Sequence, residues 1–218
     1  MTLMSAQAAD KMNRQYRFQR HIYDATRTHY LFWRRRLIAE LNPPPGGTVV
    51  EVACGTGWNL LRTAEAYPRA KLYGLDISTE MLATAQSSVF RQESQSRITL
   101  AHGDATNFNL GELFGLQGAD RVVISYALSM IPDWPAAIER AIESVNPSGA
   151  LHIVDFGRMG DMPATQRWAL RRWLKHYNVT PRVELEPVLK AAAARHKLSL
   201  SFDETPKGYS AYAILQKP

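Results

Sequence analysis

Apolar and polar positions along the chain keep two different rhythms. From residue 10 to residue 41 the apolar residues return at helical spacing. Tyr16, Tyr23, Tyr30 and Leu37 recur every seven residues, with Met12, Ile22 and Trp33 on the same broad face. Lys11, Arg14, Arg17 and Arg20 recur every three residues between them. The pattern predicts two amphipathic helices, about 10–24 and 27–41, apolar and aromatic on one side and cationic on the other. After the turn Asn42-Pro43-Pro44-Pro45-Gly46-Gly47, short β-branched runs alternate with helical stretches. Strands are expected at 48–53, 71–76, 98–102, 120–125 and 150–156, and helices at 58–67, 79–92 and 134–145. This alternation implies parallel strands joined by right-handed crossovers, hence a three-layer α/β sandwich. The tail reads as helices at 163–177 and 184–195, then two strands, 198–203 and 209–216, close enough to pair antiparallel. A mostly parallel, seven-stranded sheet with an antiparallel C-terminal strand results. Residues 1–41 form a helical cap and residues 42–218 the main domain.

Composition narrows the class. Hydrophobic residues make up 45% and charged ones 21% of the 218 residues, as in a folded globular chain. No run reaches the roughly 18 apolar residues of a membrane span. Charge arrives at Asp10 and Lys11, too early for a secretory signal. Cys54 is the single cysteine, so neither an internal disulfide nor a cysteine-based zinc cluster is expected, and no metal is assigned. These features suit a cytoplasmic chain. The net charge of +6 resides in residues 1–36, which hold eight cations and two anions, while the remainder balances. An anionic partner is implied, either nucleic acid or acidic lipid.

The stretch Glu51-Val52-Ala53-Cys54-Gly55-Thr56-Gly57-Trp58-Asn59 puts two glycines where a strand ends and a helix begins. Glycines there let the main chain turn tightly and approach a ligand, with helix N-terminal amides facing it. Nineteen residues beyond Gly57, Asp76 ends the next strand, where a carboxylate can hold the two hydroxyls of a ribose. The layout is Rossmann-like and calls for an adenosine cofactor. A dinucleotide fingerprint needs a third glycine where this chain has Leu60. Glu51 is a poor neighbour for a pyrophosphate and a good one for an ammonium. S-adenosylmethionine, with its amino acid and sulfonium cation, fits better.

Glu51–Gly57 resembles the glycine motif of class I S-adenosylmethionine-dependent methyltransferases, and Asp76 their ribose acid. His102-Gly103-Asp104-Ala105 is similar to the loop after their third strand, whose acid holds the adenine amino group. Ser125-Tyr126-Ala127 matches the segment closing over the methionyl part, and Asn146-Pro147-Ser148-Gly149 the turn before their fifth strand. The resemblance implies a cofactor site built from Glu51, Ala53, Gly55, Thr56, Gly57, Asn59, Asp76, Ile77, Met81, Gly103, Asp104, Ala105, Ser125, Tyr126 and Ala127. S-adenosylhomocysteine is the implied product.

The Asn/Asp-Pro-Pro-Tyr box of nucleic-acid amino-methyltransferases is absent after the fourth strand, which argues against a nucleic-acid substrate despite a pI of about 9.5. The flanks, Tyr16–Arg27 with Tyr30-Leu31 and Trp173–Arg182, are similar to those of bacterial betaine-lipid N-methyltransferases. That resemblance implies trimethylation of the amine of diacylglyceryl-homoserine by an enzyme peripheral to the inner face of the membrane, held there by its basic N-terminal helices. Phosphatidylethanolamine, a quinone precursor or a soluble small amine remain alternative acceptors, as does a non-catalytic RNA-binding module. A quaternary ammonium product prefers aromatic faces, which Tyr23, Tyr30, Trp33, Tyr126, Trp168, Trp173 and Tyr177 offer. Tyr23 and Tyr30, one heptad apart, are expected to close over the sulfonium, or else simply to pack. Arg35 is the candidate for the cofactor's methionyl carboxylate. Arg182 is the candidate for a headgroup carboxylate. Catalytic candidates are Tyr23, Tyr126 and His176, with His21 and His152 as further possible bases. Trp33, Asp155, Trp173, His176 and Arg182 complete the expected substrate side.

Overall fold

A computed structural model describes residues 31–218. Seven strands form one sheet: β1 (Thr48–Val52), β2 (Lys71–Asp76), β3 (Ile98–His102), β4 (Ala119–Ser125), β5 (Val145–Phe156), β6 (Ser199–Glu204) and β7 (Ser210–Gln216). Their spatial order is β3-β2-β1-β4-β5-β7-β6. All neighbouring pairs from β3 to β5 are parallel, and β7 lies antiparallel between β5 and β6. The helices are α1 (Arg34–Leu41), α2 (Trp58–Ala66), α3 (Thr79–Arg91), α4 (Leu110–Phe114), α5 (Trp134–Glu143), α6 (Ala164–His176) and α7 (Leu185–His196).

Side chains alternate across each strand, so the sheet divides two cores. Val50, Val52, Val122, Ile124, Leu151 and Ile153 face one layer, closed by Ile138 and Ala141 of α5 and Leu189 of α7. Val49, Leu72, Val123 and Val154 face the other, closed by Leu37 of α1, Leu60 of α2, Val89 of α3 and Leu174 of α6. Helix starts follow local chemistry. Ser78 caps α3 through Met81 N, Asn109 caps α4 through Gly111 N and Glu112 N, and Asp133 caps α5 through Ala136 N.

Two expectations need correction. Of the helix foreseen at 27–41, the described part begins at Arg34, because Trp33 adopts a left-handed φ of 68° that departs from the helical path; residues 27–30 lie outside the described residues. The short helix α4 was not foreseen, since five residues are too few to display a period. The helix expected at 10–24 and most of the basic arm lie outside the described residues. So does the outer part of the cap. Its inner part, α1, is no appendage: Leu37 and Leu41 are buried in the core.

Candidate active site

The strand order reverses between β1 and β4, which opens a crevice beyond their carboxyl ends. There the chain takes left-handed backbone at Ala53, Gly55 and Gly57 (φ 57°, 56° and 76°). Gly57 starts α2 without any side-chain cap, so the helix presents amides rather than a blocking side chain. A Cβ on Gly55 would meet nothing within 4 Å, so this cradle is open. Gly74 serves packing instead: a Cβ there would lie 2.5 Å from Leu60 Cδ1 and 2.9 Å from Cys54 Sγ.

Two buried carboxylates flank the cradle. Asp76 Oδ2 accepts from Gly55 N and Oδ1 from Ser78 N, both at 2.8 Å. Those bonds fix the carboxylate and leave it lone pairs for further donors. Burial raises its pKa, against these hydrogen bonds. Glu51 Oε1 accepts from Asn59 Nδ2 at 2.5 Å. Glu51 Oε2 is buried without a hydrogen-bond partner. Burial, with a smaller push from Asp76, lifts the Glu51 pKa to about 7, opposed by Asn59 and Arg34. Arg34 Nε donates to Asn59 Oδ1 at 2.9 Å, and its guanidinium carbon lies 4.0 Å from the Trp58 ring centre. A bonded row, Arg34–Asn59–Glu51, thus runs from α1 to the end of β1. Beyond β3, Asp104 Oδ1 closes a turn on Thr106 N at 2.9 Å, and His102 Nε2 lies 3.0 Å from Ile77 O, joining the two loops.

Beside the crevice lies a cleft lined by Leu31, Tyr126, Phe156, Trp173, Leu174, Tyr177 and Val179. Tyr126 sits at the end of β4 with φ 53°. Its hydroxyl donates to Phe32 O at 2.7 Å and lies 2.7 Å from Ser210 Oγ, so the single phenol proton leaves the serine as donor. Burial raises the Tyr126 pKa far above the neutral range. Asp155 is fully buried beneath the loop after β4. Its Oδ2 accepts from Ser129 N at 3.2 Å and its Oδ1 from Phe156 N at 2.7 Å. Burial pushes its pKa up to about 6.

The crevice gathers Glu51, Ala53, Gly55, Thr56, Gly57, Asn59, Asp76 and Ile77, with Gly103, Asp104 and Ala105 in the next loop and Ser125, Tyr126 and Ala127 after β4. Met81 is buried in the first turn of α3. Tyr23 and Tyr30 lie outside the described residues. Several candidates stand elsewhere than expected. Arg35 is exposed, and Arg34, about 100° away around α1, reaches the glycine turn instead. Trp33 packs edge-on against Tyr212 at 6.5 Å and does not line the cleft. His176 is exposed against Tyr177. Arg182 donates to Leu128 O at 3.0 Å and Ile131 O at 2.8 Å, which braces the loop after β4. Of the aromatic candidates, Tyr126, Trp173 and Tyr177 meet at the cleft, and Trp168 does not. His152 is buried on Tyr212 Oη, its pKa lowered by burial to about 4, so it stays neutral. Arg34, Phe156 and Ser210 were not foreseen. For Arg34 the signal was there, in a basic residue one position from the one chosen.

These groups suit S-adenosylmethionine. Glu51 Oε2 is a buried acceptor awaiting a donor such as an ammonium. Gly55 fronts open space, and Asp76 retains acceptor capacity for ribose hydroxyls. Bound there, the cofactor supplies an electrophilic methyl group on a positively charged sulfur. The chain's own part is to hold, orient and desolvate it.

Comparison with known proteins agrees. Residues 49–149 match the family model described as a methyltransferase domain. A demethylmenaquinone methyltransferase of Bacillus licheniformis is 31% identical over 118 residues, 54% of this chain and 48% of that protein. The chain spans about half the length of the curated relatives it matches. Among solved structures, a chain from a Haloferax volcanii complex of the Trm112 methyltransferase activator with a methyltransferase superposes with a TM-score of 0.73. It is 14% identical and is covered to 97% by 94% of this chain. The Haemonchus contortus phosphoethanolamine N-methyltransferase 2, solved with S-adenosylmethionine, gives 0.68 at 16% identity, over 85% of this chain and 52% of that one. The fold, the glycine crevice and the match of residues 49–149 to the methyltransferase-domain model agree with one another, and all three relate this chain to the S-adenosylmethionine-dependent methyltransferases.

Proposed function

We propose that the protein transfers a methyl group from S-adenosylmethionine to a lipid-borne acceptor entering by the aromatic cleft. One observation carries the reading: the crevice at Glu51 and Asp76 adjoins, through Tyr126, a cleft whose walls, Tyr126, Phe156, Trp173 and Tyr177, are aromatic. Alignment and exclusion of water supply most of the rate in such transfers. In this reading the cofactor end is polar, with Glu51 and Asp76, and the acceptor end is lined by apolar and aromatic side chains.

Two acceptors fit, each with its own support. A quinone precursor is backed by the names of the relatives, demethylmenaquinone methyltransferases of several bacilli. The amine of diacylglyceryl-homoserine is backed by the flank resemblance and by aromatic walls suited to a quaternary ammonium product. The relatives favour the quinone precursor. However, the match spans only about half of each, so that support bears more on the cofactor half than on the acceptor. Membrane-peripheral location belongs to either reading, and no helix among the described residues is long and apolar enough to cross a bilayer.

The test is incubation with labelled S-adenosylmethionine, offering in parallel a demethylated quinone and lipid extract rich in diacylglyceryl-homoserine. Label in the quinone supports the first acceptor. Mass gains of one to three methyls in the lipid support the second. Label only in a water-soluble product or in RNA rejects both.

A further inference from the structure

Among the thirteen residues of α6, only Leu174 is buried. The helix rests on the domain through Arg167, Leu170 and Leu174, spaced as one stripe. The solvent-facing side is built differently. Trp168 is 66% exposed there. At about 100° per residue, Arg171, Arg172 and Lys175 all fall within roughly 60° of it around the helix. The Arg172 guanidinium carbon lies 5.8 Å from the Trp168 ring centre. Residues 164–176 contain four Arg or Lys and no carboxylate. Trp173, about 140° around the helix from Trp168, is 40% exposed and lines the cleft.

A solvated helix face mixes both charge signs and keeps large apolar groups off its surface. This face has one sign only, with an indole at its centre. Indole rings settle at the headgroup boundary of a bilayer, and flanking cations are drawn to acidic lipid. A polynucleotide would answer the cations but would leave the adjoining apolar cleft without a use.

We propose that the outer face of α6, centred on Trp168, Arg172 and Lys175, docks on an anionic lipid bilayer. This rests on the lipid-borne acceptor reading and assigns the contact to residues of α6, in the C-terminal half of the sequence.

The test is sedimentation of the full chain with phosphatidylcholine vesicles of rising phosphatidylglycerol content, at low and high salt. Vesicle binding should rise with anionic lipid and weaken with salt. The triple variant Trp168→Ser, Arg172→Ser, Lys175→Ser should lose roughly 30-fold in partitioning from its two cations alone, at about 1 kcal/mol each. Methyl transfer to detergent-dispersed lipid should stay unchanged. The conservative Trp168→Phe should retain most of the binding. A triple variant that binds like the parent would overturn the proposal, since the N-terminal segment would then carry any contact. So would a parent that methylates dispersed lipid yet ignores vesicles, or one that prefers RNA to vesicles. Charge-dependent vesicle binding that the triple variant loses, with no lipid methylation in any form, would sustain the docking face and remove the acceptor reading.

Discussion

Arg34 Nε donates to Asn59 Oδ1 at 2.9 Å, and through that bond a helix preceding the sheet reaches the floor of the cofactor crevice. Asn59 spends its amide nitrogen on Glu51. The arginine therefore fixes which way the amide points, and with it the buried carboxylate. Arg34→Ala should weaken S-adenosylmethionine binding about 10-fold, in line with a charge-assisted hydrogen bond of about 1.5–3 kcal/mol. Arg35→Ala, on the exposed neighbour, should leave it unchanged. Calorimetry on the two variants checks the pair, and equal losses would remove the distinction.

Glu51 sets a pH dependence. Its folded pKa, about 7, lies above the ordinary 4.5, so the fold favours the protonated form. The stability this group contributes is fully present below about pH 4.5 and is lost as pH rises through 7. Asp155, raised to about 6, acts in the same direction. Buried His152, lowered to about 4, acts in the opposite sense, its contribution being lost as pH falls through 4. Glu51→Gln should therefore raise the melting temperature of the cofactor-free protein at pH 8, by up to about 3 kcal/mol of stability. The gain should vanish near pH 4. The same substitution should weaken cofactor binding. Thermal unfolding across pH checks both signs.

Tyr126→Phe separates a structural hydroxyl from a proton-transferring one. Losing the bonds to Phe32 O and Ser210 Oγ should cost about 1–3 kcal/mol and loosen residues 31–33 over the cleft. Because burial keeps the phenol protonated, the pH profile of the reaction should keep its shape. Hydrogen exchange and a pH–rate curve read the two effects separately, and loss of the rise in rate with pH would make Tyr126 the base.

Gly74→Ala should destabilise by about 1–3 kcal/mol, because the added methyl meets Leu60, Cys54 and Leu100 in a packed core. Gly55→Ala meets no neighbour and should show only the cost of its left-handed backbone, about 1 kcal/mol. Denaturant unfolding ranks the two.

The β1–α2–β2 unit was legible because each of its signals is local: a β-branched run, two glycines at left-handed positions, and an acid at the next strand end. The interruption at Trp33 was hidden, since an aromatic heptad looks the same whether or not one residue leaves the helix. Arg34 and Arg35 are chemically alike, and only the helix start decides which faces the crevice. The cleft joins Leu31, Phe156 and Val179 from distant parts of the chain, a convergence that no periodicity announces. Arg182 looked like a free anion grip because its two carbonyl partners, at Leu128 and Ile131, are main-chain atoms that carry no sequence signature.

The inward position of β7 has a kinetic consequence. It is the last of the described strands in sequence, yet it is wedged between β5 and β6. Until residues 210–216 are available, β5 keeps a raw flank and β6 has nothing to join. During synthesis the glycine turn and its acid can assemble early, while Tyr126 waits for Ser210 to arrive. A nascent chain stalled before that point would hold the nucleoside half of the protein with its acceptor side still unlatched.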